Sequence, residues 1–219
     1  MTGFAAAPTT LVNFNYVNGA TPYAGLLADG NSNLFGTTYG GGAFGAGTVF
    51  EVVNTATGYA AAPITLVSFN HTDGATPYAG LIADANGSLF GTTLLGGMFG
   101  AGTAFKITKT ATGYASMPIT LVDFNNNSGG YPVVGLFADE TGHLFGAAYS
   151  GGASGYGTVF EITRSGFVRF AGVTGSSNCH GVTISALATE YGGIANAASL
   201  LGYTSVRSLQ SAVTAYCGS

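Results

Sequence analysis

Charge is scarce in this sequence. Only 5 Lys and Arg and 9 Asp and Glu occur among 219 residues, 6% of the chain, where ordinary soluble domains carry about a quarter. The net charge of −4 leaves no basic stripe, so counterion release from phosphates cannot drive binding, and nucleic acid is not an expected partner. Long hydrophobic runs are missing too. Gly, Asn, Thr or Pro interrupts each one, well short of the roughly 18 apolar residues of a membrane span. No basic stretch followed by an unbroken apolar core opens the chain, so no signal peptide is read there. Tryptophan is absent and cysteine occurs twice. These shortages do not amount to disorder, which combines low hydrophobicity with high net charge. Hydrophobic residues make up 47% of the chain, so a packed core is expected. Its surface of Thr, Ser, Asn and Gly repels itself weakly and favours association.

Glycine is abundant, with 37 residues, and it recurs at a fixed interval. Leu11-Val12-Asn13-Phe14, Leu66-Val67-Ser68-Phe69 and Leu121-Val122-Asp123-Phe124 follow one another at steps of 55. The same step separates Pro22, Pro77 and Pro132, then Gly25, Gly80 and Gly135, then Asp29, Asp84 and Asp139, then Gly36, Gly91 and Gly146, without insertion or deletion. Such a period marks tandem structural units. Three are expected, at about 4–58, 59–113 and 114–168, giving a repeat region over 1–172 and a distinct small helical domain over 173–219. Thr2-Gly3-Phe4 matches Thr57-Gly58-Tyr59, so the chain opens inside the pattern. That is expected of a processed mature end, or of a sequence read without its upstream part, and either accounts for the missing signal.

Within a unit the pattern is that of strands. Thr10 to Phe14, Ala24 to Ala28, Leu34 to Tyr39 and Thr48 to Val53 are short apolar or β-branched runs separated by Asn-Gly, Asp-Gly and Gly-Gly, which predicts four strands per unit. Asp29, Asp84 and Asp139 fall between the second and third runs, where Asp supplies local hydrogen bonds to a tight turn and Gly supplies positive φ. The reading is structural rather than catalytic.

Gly25-Leu26 with Asp29, then Asn33-Leu34-Phe35-Gly36-Thr37-Thr38, Gly40-Gly41 and Gly47-Thr48-Val49-Phe50 resemble the Gloeo/Verruco (GloVer) tandem repeat of secreted bacterial proteins. The second copy fits equally, and the third departs with Ala147-Ala148 in place of the Thr pair. The resemblance implies propeller-like four-stranded blades and an extracellular or cell-surface location, and it implies no activity. The expected fold is therefore mainly β: three four-stranded propeller-like blades in tandem, plus a small disulfide-clamped helical C-terminal segment.

Three blades are too few for a propeller, which closes with about four to eight. An open array leaves strand edges and apolar faces uncovered at both ends. The cover is expected from other copies of the chain, as a ring completed by oligomerisation or as a filament from contacts that do not close, or else from an unusual arrangement of the strands within the chain. The apolar N-terminal stretch, with Thr9, Thr10, Leu11 and Val12 at its end, is the candidate partner strand, since no preceding repeat pairs with it.

From Ile184 to Tyr216 apolar residues recur at helical spacing, with breaks near Gly192-Gly193 and Gly202. Cys179 and Cys217 flank this stretch. A bridge between them would close a loop of about 40 residues and contribute about 3 to 4 kcal/mol. The alternative is two unpaired thiols in a reducing compartment.

Candidate chemistry is thin. His71, His143 and His180 occupy different phases of the repeat, so no convergent metal site is predicted, and the Gly-rich stretches lack the Lys of a phosphate cradle. Asp84-Ala85-Asn86-Gly87 is a fragment of a calcium loop without its completing Glu. No cofactor and no catalytic set is read. Glu51, Lys106 and Glu161 share one phase, which could place opposite charges side by side in consecutive units. Asn70, Asn86 and Asn126 head glycosylation sequons. Tyr23 and Tyr78, with Tyr131 slightly out of phase, are candidates for stacking on sugar rings. The expected function is that of a non-enzymatic structural subunit of an extracellular fibre that assembles with copies of itself. The alternative is a carbohydrate-binding or adhesive module with glycans as partners.

Overall fold

The computed structural model describes residues 8–168, 187–188, 193–201 and 203–217. The first unit contains β1 (Leu27–Ala28), β2 (Leu34–Thr38), β3 (Thr48–Val52) and the short hairpin β4 (Asn54–Thr55) with β5 (Gly58–Tyr59). β6 (Ile64–Ser68) then returns to the free edge of β3, so the first sheet has the order β1-β2-β3-β6. The second unit repeats this with β7 (Ile82–Ala83), β8 (Leu89–Thr93), β9 (Thr103–Ile107), the hairpin β10 (Lys109–Thr110) with β11 (Gly113–Tyr114), and β12 (Ile119–Asp123) on the edge of β9. The third has β13 (Gly130–Pro132), β14 (Phe137–Ala138), β15 (Leu144–Ser150) and β16 (Thr158–Ile162). Here β13 and β14 share one edge of β15 and β16 takes the other. Helices α1 (Ile194–Leu200) and α2 (Val206–Cys217) follow.

The mainly β architecture with three four-stranded sheets is as expected, but the strands are shared out differently. β6 and β12 correspond to the run predicted at Thr10 to Phe14, so each of the first two sheets takes its fourth strand from the following unit. Thr10 to Phe14 itself forms no strand, because no sheet among the described residues precedes it. The described residues form no closed propeller. The predicted disulfide lies outside the described residues, since Cys179 is not among them and Cys217 only ends the backbone of α2.

Two recurring glycines explain how tightly the units are built. At Gly36 a Cβ would lie 2.6 Å from Cζ of Phe50, and at Gly91 2.7 Å from Cζ of Phe105, so the aromatic of the neighbouring strand lies directly over bare backbone. Gly47 and Gly102 adopt φ of +95° and +97°, and Pro77 and Pro132 of the next unit press against them. Each turn acid works alike. Oδ1 of Asp29 accepts from the amides of Asn31 and Asn33, that of Asp84 from Asn86 and Ser88, and that of Asp139 from Thr141 and His143.

The cores lie between successive sheets. Phe35, Val49 and Val67 of the first pack against Leu81, Leu89, Phe105 and Ile107 of the second. Phe90 and Ala104 of the second pack in turn with Leu136, Leu144 and Ile162 of the third. Burial of this apolar area, at about 25 cal/mol per Å², binds one unit to the next. A third, smaller core joins α1 and α2 through Ala197, Ala198, Leu209 and Val213, with Val168 and Leu187.

Candidate functional site

Because each sheet covers its successor, the two ends of the series are left open. At the first sheet, Leu26, Leu34, Phe50 and Val52 line a groove of about 360 Å³ whose other wall is Thr10, Leu11, Val12 and Phe14. Phe50 and Val52 are already buried there, and the open part of the lining is Leu26, 58% exposed where the matching Leu81 of the second unit, covered by the first sheet, is 7%. Phe14 nevertheless sits edge-on to Phe50 at 4.9 Å, as Phe69 does to Phe105 at 5.1 Å, and Phe124 meets Phe160 at 4.8 Å with its ring tilted. From Thr10 onward the nominated segment Thr9 to Val12 therefore lies beside its own sheet, without a strand partner among the described residues.

That missing element has its counterpart at the other end. β3 and β9 are each flanked on both sides, by β2 and β6 and by β8 and β12, whereas β16 has β15 on one side and no partner on the other among the described residues. Its sequence Thr-Val-Phe-Glu-Ile is nearly that of β3, yet its first four residues are less buried than those of β3. Val49 is 0% exposed and Val159 84%. Tyr156, 93% exposed, stands where Ala46 and Ala101 are buried.

Two of the three nominated tyrosines meet. The rings of Tyr23 and Tyr78 lie 5.5 Å apart, and Tyr39 stands edge-on to Tyr23 at 5.7 Å, forming an exposed aromatic strip across the first two units. Tyr131 does not join it. It occupies the position of Thr21 and Thr76, sharing their positive φ, and its amide donates to the Ala101 carbonyl. The register of the repeat explains this, since the Tyr23 phase holds Val133 in the third unit.

Of the sequons, Asn70 and Asn126 are exposed, the first closing a turn through Oδ1 to Thr72 and Asp73. Asn86 is engaged, because its Oδ1 accepts from the Tyr203 hydroxyl. The charge ladder between units does not form. Glu161 pairs with His143 Nδ1 at 2.7 Å, while Lys106 donates to the Gly166 carbonyl at 3.0 Å and lies over the Phe90 ring. Asp84 faces the same stretch: Ala85 donates to the Val168 carbonyl, and the Val168 amide points at Asp84 Oδ2. Burial pushes the Asp84 carboxyl above its usual range and the Lys106 ammonium below its own, each partly countered by the other's charge. This junction between the second unit and the helical segment was missed in the sequence. The one signal for it was a Lys where the repeat otherwise has Glu.

None of these groups forms a nucleophile with an adjacent base, and the Asp84 oxygens are occupied by amides. What the arrangement offers is an apolar groove at one end of the series, a strand with an exposed valine at the other, and an aromatic strip. Among known proteins, the family model described as the Gloeobacter/Verrucomicrobia repeat matches residues 2–205. No curated protein is significantly similar to the chain.

Proposed function

The chain belongs to the Gloeobacter/Verrucomicrobia repeat family, and from that premise we propose that it is a non-enzymatic structural protein of the cell exterior, a subunit that assembles with copies of itself into a surface fibre. One observation carries this reading: Val159 is 84% exposed at the repeat position where Val49 is fully buried. A strand whose second edge is unpaired among the described residues, and which turns an apolar side chain to solvent there, is a template for pairing with another chain. In this reading the sheets act as propeller-like blades that continue from chain to chain instead of closing on themselves. A Cys179–Cys217 bridge clamps the helical segment, so the oxidised chain is expected to carry no free thiol.

Negative-stain microscopy of the purified protein tests the proposal. Fibres are expected at high protein concentration, and particles that stay monomeric would sink it. A second reading, a glycan-binding module, is favoured by the contiguous Tyr23, Tyr39 and Tyr78 rings, because tyrosine offers an apolar face with a polar tip. A glycan array without hits, unchanged by Tyr23→Ala and Tyr78→Ala, would count against it.

A further inference from the structure

We propose that residues 9–13 of one chain add a strand to the open edge of the third sheet of a second copy, pairing antiparallel with β16. This inference rests on the fibre reading and specifies its joint. The chain contains the same joint twice already. β6 pairs with β3 through Ile64↔Glu51, Thr65↔Phe50, Val67↔Val49 and Ser68↔Thr48, and β12 pairs with β9 in the equivalent register, each with one irregularity. One further step of the repeat sets Thr9 opposite Glu161, Thr10 opposite Phe160, Val12 opposite Val159 and Asn13 opposite Thr158 of the neighbour.

Several separate features agree with that step. The Phe69 and Phe124 amides donate to the carbonyls of Gly47 and Gly102, and those of Thr76 and Tyr131 to Ala46 and Ala101. The corresponding donors, Phe14 and Thr21, and acceptors, Gly157 and Tyr156, stand at opposite ends of the series of repeats. Pro77 and Pro132 are buried against Gly47 and Gly102, whereas Pro22 is exposed and Gly157 has no proline among its near neighbours. Gly80 and Gly135 lie over the carbonyls of Gly25 and Gly80, and the face of Gly25 is open. Thr21 already holds the positive φ of 59° that Thr76 has within the joint, at 53°. The donor end is thus shaped before any partner arrives, which lowers the ordering cost of association. The joint between chains differs from the internal ones in its bulkier rim, at Tyr156. Because donor and acceptor are different surfaces, the contact is heterologous, and it propagates unless it closes into a ring.

The test is a register-specific cross-link. The double variant Val12→Cys with Val159→Cys, mildly oxidised and run without reductant, is expected to give a ladder of covalent multimers that reduction collapses. The shifted pair Asn15→Cys with Val159→Cys gives none. Independently, Val159→Lys keeps the monomer folded, since the side chain is exposed, and abolishes the multimers. Fibres without the ladder, or a cross-link confined to single chains, overturn the joint and leave the fibre reading standing. A ladder that stops at dimers keeps the joint and overturns the fibre. Monomers alone at every concentration overturn both.

Discussion

The Lys106 ammonium lies 3.0 Å from the carbonyl oxygen of Gly166, tying the second repeat unit to the stretch of chain that leads toward the helices. Glu51 and Glu161 hold the same phase in the other units and make no such tie. The change of charge at Lys106 thus adds one tie specific to the second unit, beside the Ala85 bond to Val168 and the Tyr203 bond to Asn86. The nearby Asp84 carboxylate compensates the half-buried ammonium, and the Phe90 ring lies 5.2 Å below it.

Replacing Lys106 by Met keeps most of the side-chain packing but leaves the Gly166 carbonyl and the Asp84 carboxylate without their cation. Hydrogen bonds to charged groups contribute about 1.5 to 3 kcal/mol, so a loss of about 2 kcal/mol in urea unfolding is expected. Hydrogen exchange should rise first at residues 165–168. A variant as stable as the native chain, with unchanged exchange there, would show that the tie is incidental.

The acid side of the junction predicts a pH dependence. Burial raises the Asp84 carboxyl, against the pull of the Ser88 amide, the Lys106 charge and the amides of Val168 and Asn86. A raised native pKa means that the folded chain holds this proton more tightly than the unfolded chain does. Its contribution to stability is therefore complete below the unfolded value, about 4, and is lost as pH rises through the native value. Asp84→Asn keeps an acceptor for the turn amides and removes the titration. The variant should lose less stability than the native chain as pH rises from about 4 toward neutrality, as followed by thermal unfolding.

How much of this was legible in the sequence follows from which contacts repeat. The unit length, the turn acids and the short strands could be read because each residue recurs in the same surroundings, as Gly36 and Gly91 do beneath Phe50 and Phe105. The strand at Thr10 to Phe14 was misread for the same reason. Its residues match β6 and β12, but a strand also needs an edge to pair with, and periodicity does not report whether that edge exists. The Lys106 to Gly166 tie and the Tyr203 to Asn86 bond join the repeat to a segment outside it, so no period announces them. The tyrosines divide likewise: Tyr23 and Tyr78 keep phase and meet, and Tyr131 drops out by two positions and does not.

The Tyr203 to Asn86 bond bears on glycosylation as well as stability. Tyr203 is half-buried and its hydroxyl is held above its usual pKa chiefly by that burial, so it stays a donor throughout the neutral range. Tyr203→Phe should cost about 1 kcal/mol. If the chain is glycosylated, fragmentation of chymotryptic peptides, which separate Asn70 from Asn86 by cleavage at Tyr78 and Leu81, should find sugar on Asn70 or Asn126, while Asn86 becomes modified only when Tyr203 is replaced. Sugar on Asn86 in the native chain would mean that the helical segment is not docked when the glycan is added.

The two valines at the joint position separate folding from assembly. Val49 is fully buried within the chain, so Val49→Ala removes packing from the core between the first two sheets and should cost about 2 kcal/mol at any protein concentration. Val159 has 84% of its surface in solvent, and truncating an exposed side chain usually changes stability by less than about 0.5 kcal/mol. In dilute protein, Val159→Ala should therefore unfold with the native chain. Association stabilises the folded state by mass action, so the native Tm should climb with concentration and that of Val159→Ala should climb less. Coincident concentration dependence in the two proteins would mean that Val159 stays exposed in whatever the chain assembles into, and that its exposure in the single chain is not an unfilled joint.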